Sequence, residues 1–244
     1  MQHLILVRHG QSDQHVKNLT GGWSDMHLTA LGHQQADATA QCLKALLGGQ
    51  VPQLLSSDLS RARETTEVIA AALGVPPAFH AELREFNNGS AAGLTLDAAK
   101  AIELPITYPT VDWIPYKGAE SWRTMTDRVT GFLEDIQNAT ADTTIIVSHA
   151  NAGVAIVHWW LRLALDAKIS YELEPCSITR LGINVWGERT IIKLNDTAHL
   201  RTIGLQESSS NHEREFATAL DMVQERFGRA MKKSAQRQPF GNGA

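Results

Sequence analysis

Two short, unbroken apolar runs constrain this chain most: Leu4–Val7 and Thr143–Val147. Runs this short without polar alternation mark strands covered on both faces. Each ends in a polar cluster around a histidine, Arg8-His9-Gly10 after the first and Ser148-His149-Ala150 after the second. Strands buried on both sides need helices on both sides, and the intervening sequence offers them. Thr29 is placed to cap a helix from Ala30 to about Leu47, with Ala36, Ala40, Leu43 and Leu47 on one stripe and Gly48-Gly49 as its stop. Gln53–Ser56 reads as a strand, Ser57–Leu73 as a loop and helix closed by Gly74, and Pro76–Leu83 as extended. Glu120–Ala139 reads as a helix burying Met125, Val129, Phe132, Leu133 and Ile136. Asn151–Leu165 reads as another helix, with Trp159-Trp160 as packing. Ser177–Ile183 and Thr190–Leu194 read as strands of a hairpin joined by Asn184–Arg189. The alternation predicts one α/β domain with a largely parallel sheet, over 1–204.

Two segments fall outside this rhythm. The stretch at about 86–119 is rich in Gly, Pro and Asn and reads as a long excursion with one short helix near Leu96–Glu103; loops of such length are usually functional or disordered. The stretch 205–244 shifts in composition. It offers one amphipathic stripe, Phe216, Leu220, Val223 and Phe227, read as core or a homodimer contact, and a polar tail from Lys232.

Composition narrows the partners. With 22 Lys+Arg against 26 Asp+Glu and a net charge of −4, neither nucleic acid nor a membrane surface is the expected partner. The longest apolar stretch, Ala152–Ala167, is interrupted by His158, Arg162 and Asp166 and is too short to span a bilayer. The apolar run at the N-terminus is too short for a signal peptide. Cys42 and Cys176 show no CxxC spacing, so a reducing compartment, the cytoplasm, is expected.

Open α/β sheets bind ligands at the carboxyl ends of their strands. His9 and His149 follow two such ends, and Arg8 is adjacent to the first. No HxxxH or HxH spacing accompanies either histidine, so no metal is expected.

Five segments then carry a resemblance. Arg8-His9-Gly10-Gln11-Ser12 resembles the Arg-His-Gly signature of the histidine phosphatase superfamily, which includes the cofactor-dependent phosphoglycerate mutases. Gly22-Trp23-Ser24-Asp25 through Leu28-Thr29-Ala30-Leu31-Gly32 resembles a second family segment, and Ser56-Ser57-Asp58-Leu59-Ser60-Arg61 through Thr65 a third. Leu83-Arg84-Glu85 with Gly89 and Gly93 resembles a fourth, and Ser148-His149-Ala150 the second-histidine motif. They occur in family order over about residues 3 to 200. The resemblance implies a three-layer α/β/α sandwich with a mostly parallel central sheet.

It also implies chemistry that suits the residue types. Phosphoryl transfer needs neutralised equatorial oxygens and an in-line nucleophile. Arg8 and Arg61 would clamp the phosphate with planar donor forks, and His149 would add a donor. His9 would attack to give a phosphohistidine. Glu85 would protonate the leaving alcohol and then activate water, its carboxyl kept protonated at first by surrounding anions. No metal or other cofactor is implied, since the arginines neutralise the charge.

Departures from the mutase pattern bear on the reaction. His15 stands where mutases carry an asparagine, and Gly21 where they favour Ser or Thr, with Thr20 one earlier; both positions bind phosphate in the family. Asn151 matches the mutase form. Between Leu94 and Gly118 the cations are Lys100 and Lys117, against Asp97, Glu103 and Asp112, alongside Ile106, Tyr108, Val111, Trp113, Ile114 and Tyr116. Such a lid suits one phosphate on a less charged body, so the expectation is a phosphomonoester phosphatase acting on a small phosphorylated metabolite. The alternatives are a phosphoglycerate mutase or a non-catalytic phosphate-binding module. The last has no reason to keep Arg8, His9, Arg61, Glu85 and His149 together.

Overall fold

The computed structural model describes residues 1–138 and 141–205. Strands and helices alternate along them: β1 (His3–Arg8), α1 (Asp13–Lys17), α2 (Ala30–Leu47), β2 (Gln53–Ser57), α3 (Ser60–Leu73), β3 (Pro77–His80), α4 (Leu96–Ala101), α5 (Trp122–Ile136), β4 (Thr143–Ser148), α6 (Ala150–Leu161), β5 (Ile178–Ile183), β6 (Arg189–Asp196) and α7 (Ala198–Arg201). The strands form one six-stranded sheet in the order β3-β2-β4-β1-β5-β6. β1, β2, β3 and β4 are mutually parallel, and β5 pairs antiparallel with both β1 and β6.

Residues alternate across the sheet, and each face finds its own helices. Leu4 and Leu6 of β1, with Leu55 and Ile146, pack against Met125, Val129 and Leu133 of α5 and Ala152, Ile156 and Trp160 of α6. Ile5 and Val7, with Leu54, Ile145 and Val147, pack against Ala40, Leu43 and Leu47 of α2 and Ala62 and Ile69 of α3. That is the expected three-layer α/β/α sandwich.

The parallel register sets Arg8 beside Ser148. The chain ends of β1 and β4 therefore emerge together, and His9 and His149 leave the sheet as neighbours. One close approach shapes this end. A Cβ on Gly32, in the first turn of α2, would lie 2.0 Å from the Gln11 carbonyl oxygen, and one on Gly10 would lie 2.7 Å from the Gly32 oxygen. Only glycines let α2 seat against the loop after β1.

Several boundaries differ from expectation: β6 runs Arg189–Asp196 rather than Thr190–Leu194, α4 ends at Ala101, and three further differences have local causes. α6 stops at Leu161, because Arg162 takes a left-handed φ of 55° and the Leu163 N–H bonds back to the His158 carbonyl. α5 starts at Trp122, capped by the Ser121 hydroxyl accepting from the Thr124 N–H, because Glu120 bonds to Asn87 instead. β3 ends at His80, and Ala81–Leu83 turns as a 3-10 helix. Within α5, Met125, Val129 and Leu133 are fully buried while Phe132 and Ile136 are only partly so. The expected helix around Phe216–Phe227 and the polar tail lie outside the described residues.

Candidate active site

His9 is 1% exposed, and its ring is held at both ends. Nδ1 lies 2.8 Å from the Gly10 carbonyl, an obligate acceptor, so Nδ1 carries the proton. Nε2 then holds the lone pair, and the Arg61 Nε–H donates to it at 3.2 Å. Burial, reinforced by Arg61, His149, Arg8 and His15, drives the His9 pKa well below the ordinary 6.5. The imidazole is neutral, with its nucleophilic nitrogen facing a guanidinium.

Arg61 comes from the first turn of α3 and is fully buried. Its Nη1 donates to the Ser24 carbonyl at 3.0 Å and its Nη2 to the Gly22 carbonyl at 2.8 Å. Burial brings its pKa down to about 10, with Glu85 opposing the shift, so it remains cationic at neutral pH.

Around His9 the polar groups lack acceptors. Arg8 Nη1 donates to the Leu173 carbonyl at 2.6 Å, but Arg8 Nε and His149 Nδ1 are buried and have no partner among the described residues. His149 lies with its ring 5.0 Å from that of His9, and its Nε2 lies 2.8 Å from the Ser57 hydroxyl. His15 sits 5.6 Å from His9, stacked. Its Nδ1 accepts the Ser12 N–H at 2.9 Å, which puts the proton of the neutral ring on Nε2. That nitrogen lies 2.6 Å from Arg8 Nη2, so two donors converge beside His9. Burial first, then the arginines, also lower the His15 and His149 pKa values well below 6.5.

Glu85 enters from the segment after the Ala81–Leu83 turn. Its Oε1 accepts from the Phe86 N–H at 2.7 Å and the Ala152 N–H at 3.3 Å, and its Oε2 from the Asn151 N–H at 3.2 Å. The last two are free amides at the start of α6. Asn151 therefore reaches this site through its main chain.

The remaining sequence-predicted position acts differently. Gly21 packs against the Gln14 side chain, and its carbonyl accepts the Ser24 N–H at 3.1 Å. The neighbouring Thr20 hydroxyl donates to the Ala91 and Leu94 carbonyls, tying the excursion to this loop. Of the apolar and aromatic residues of the excursion, Trp113 and Tyr116 are buried: Trp113 Nε1 donates to the Pro105 carbonyl at 3.1 Å and Tyr116 packs on Ala91 and Ala99. Ile106, Tyr108 and Ile114 are exposed.

Sequence reasoning missed Ser57, Trp23, Glu120 and Arg128. Trp23 Nε1 donates to the Glu85 carbonyl at 2.7 Å, and its ring lies 4.9 Å from the Arg84 guanidinium. Ser57 and Trp23 stood inside quoted motifs, whereas Glu120 and Arg128 carried no signal beyond their helix. Among the described residues no three His, Cys, Asp or Glu side chains are arranged to hold a metal ion, and no helix is long and apolar enough to cross a membrane.

The profile of the histidine phosphatase superfamily, branch 1, matches residues 4–197. The chain belongs to that superfamily. The histidine phosphatase described here is 34% identical over 186 residues to a protein of Escherichia coli O1:K1 named probable phosphoglycerate mutase GpmB, covering 74% of this chain and 85% of that one. Its fold is similar to the α-ribazole phosphatase of Shigella flexneri, with a TM-score of 0.71 at 20% identity over 80% of this chain and 96% of that one. A mycobacterial glucosyl-3-phosphoglycerate phosphatase complexed with VO3 gives a TM-score of 0.68 at 23% identity, covering 81% and 100%.

Proposed function

We propose that this histidine phosphatase hydrolyses a small phosphomonoester in the cytoplasm, without a metal, through a phosphohistidine on His9. The observation that carries the reading is the fixed state of the His9 ring: Nδ1 engaged by the Gly10 carbonyl and Nε2 facing Arg61. In the first step the Nε2 lone pair attacks phosphorus and the ester P–O bond breaks. The leaving oxygen takes a proton from Glu85, and the amides of Phe86, Asn151 and Ala152 stabilise the carboxylate that remains. Arg8, Arg61, His15 and His149 donate to the phosphoryl oxygens, with Arg8 Nε and His149 Nδ1 the two of their buried nitrogens that have no other partner among the described residues. In the second step Glu85 takes a proton from water, the water oxygen attacks phosphorus, and the P–N bond breaks to return its electron pair to Nε2.

Hydrolysis is favoured over mutase chemistry by the cations near the excursion. Arg84 is tied to Asp58 through bonds of 2.7 and 2.6 Å, and Arg123 to Asp112 at 2.5 Å. Both arginines are already paired with a carboxylate, which leaves Lys100 and Lys117 as the excursion's own cations. A mutase reading is supported by the similarity to the probable mutase GpmB and by Asn151, which matches the mutase form. Phosphate release from a monoester, measured beside 2- and 3-phosphoglycerate interconversion with and without 2,3-bisphosphoglycerate, separates the two. Rapid bisphosphate-dependent interconversion with little free phosphate would establish the mutase.

A further inference from the structure

We infer that Arg128 and Glu120 are positioning residues that hold Glu85 in register for proton transfer. This rests on the reading of Glu85 as the proton donor and adds two residues to it. Glu85 lies on a stretch without regular secondary structure, between the 3-10 turns Ala81–Leu83 and Gly89–Ala91. No strand ladder fixes its backbone, so side chains must.

The Arg128 guanidinium does this from α5. Its Nη1 donates to the Glu82 carbonyl at 2.7 Å and the Arg84 carbonyl at 3.1 Å, and its Nη2 to the Glu85 carbonyl at 3.2 Å. The fork is itself aimed by Glu120, whose two carboxylate oxygens accept from Nε and Nη2, each at 2.8 Å. Glu120 also grips the far side of the segment. Its Oε2 accepts the Asn87 N–H at 2.9 Å, and its own N–H donates to the Asn87 carbonyl at 3.0 Å. One ion pair, with side chains only 18% and 10% exposed, thus engages the main chain on both sides of Glu85. Trp23, 5.5 Å from Arg128, adds the bond to the Glu85 carbonyl.

A plain charge effect is the rival, because Arg128 also acts electrostatically on His149. Arg128→Lys separates the two: it keeps the charge and loses the planar fork. Glu120→Gln is the milder companion, and thermal unfolding shows that each variant is folded. Both should lower kcat/KM, which reads the first transfer and not the water step common to all substrates, by about 10–100-fold for an alkyl phosphate, the cost of an ångström-scale misplacement. The kcat/KM for nitrophenyl phosphate and inhibition by inorganic phosphate should barely change. Adding Glu85→Gln to Arg128→Lys should cost no more than Glu85→Gln alone.

Equal losses on both substrates, additive losses in the double variant, or a change in phosphate inhibition alone would overturn the inference while leaving Glu85 as the donor. Equal losses on both substrates in Glu85→Gln by itself would remove the donor reading, and the inference with it.

Discussion

The Nε–H of Arg61 points at the unprotonated Nε2 of His9 across 3.2 Å, while the carbonyls of Gly22 and Ser24 hold the rest of its fork. A buried cation and a buried imidazole are thus held side by side by backbone carbonyls, and the Nε–H contact passes to the phosphoryl group when Nε2 is used. Preorganised donors of this kind supply much of the stabilisation of a charged transition state.

Arg61→Lys keeps a charge but cannot span His9, Gly22 and Ser24 together. Loss of one such donor arrangement is expected to lower kcat by about 10²–10³-fold. Steady-state kinetics on nitrophenyl phosphate check this, and a loss confined to KM would contradict it.

Two buried histidines, His9 and His149, and the half-buried His15 make stability depend on pH. His9, His15 and His149 all have pKa values held well below 6.5 by burial and then by the arginines or neighbouring histidines. The unfolded chain therefore takes up protons that the folded chain refuses as pH falls below 6.5. Their contribution is complete above the unfolded pKa and is lost below it. The slope approaches about 1.4 kcal/mol per pH unit for each histidine until the folded pKa is reached. Melting temperature should drop steadily on acidification without ligand, and saturating inorganic phosphate should reduce the drop if it pairs with protonated rings. A melting temperature unchanged through this window would contradict the neutral assignment.

Glu85→Gln keeps the shape of the side chain but has no proton to give. The loss in kcat/KM, which reads the first transfer and not the water step that Glu85 also serves, should reach about 10²–10⁴-fold for alkyl phosphates and be much smaller for nitrophenyl phosphate, whose leaving group departs unaided. Parallel measurements on the two substrates decide it.

The contact of α2 with the loop after β1 admits no side chain. A Cβ on Gly32 would lie 2.0 Å from a backbone oxygen, so Gly32→Ala must push α2 or the loop aside. A cost of about 1–3 kcal/mol in denaturant unfolding is expected, with activity reduced because Gln11 follows the signature segment directly. A neutral substitution would mean that the two backbones are not so close in solution.

What could be read from the sequence depended on how local its physical cause was. The unbroken runs Leu4–Val7 and Thr143–Val147 announced buried strands, and Thr29 with Gly48 bracketed α2, because each signal lies within a few residues. The adjacency of His9 and His149 followed from two strand ends, and the register of β1 with β4 supplied it. The end of α6 was overestimated because the left-handed turn at Arg162 has no glycine to mark it. The apolar content of the excursion was legible, but not its division: Tyr116 is taken into a small cluster with Ala91 and Ala99 and Trp113 is buried, while Ile106, Tyr108 and Ile114 stay exposed. Arg128 was invisible because its partners are carbonyls, which every residue carries.

The central claim, that His9 Nε2 takes the phosphoryl group, is tested most directly by rapid quenching with labelled substrate and mapping the label. The account predicts an acid-labile, base-stable adduct on His9, present without added metal and in EDTA, and absent in His9→Ala. Label on Ser12 or Ser148, or turnover that vanishes in EDTA and returns only with a divalent cation, would contradict it.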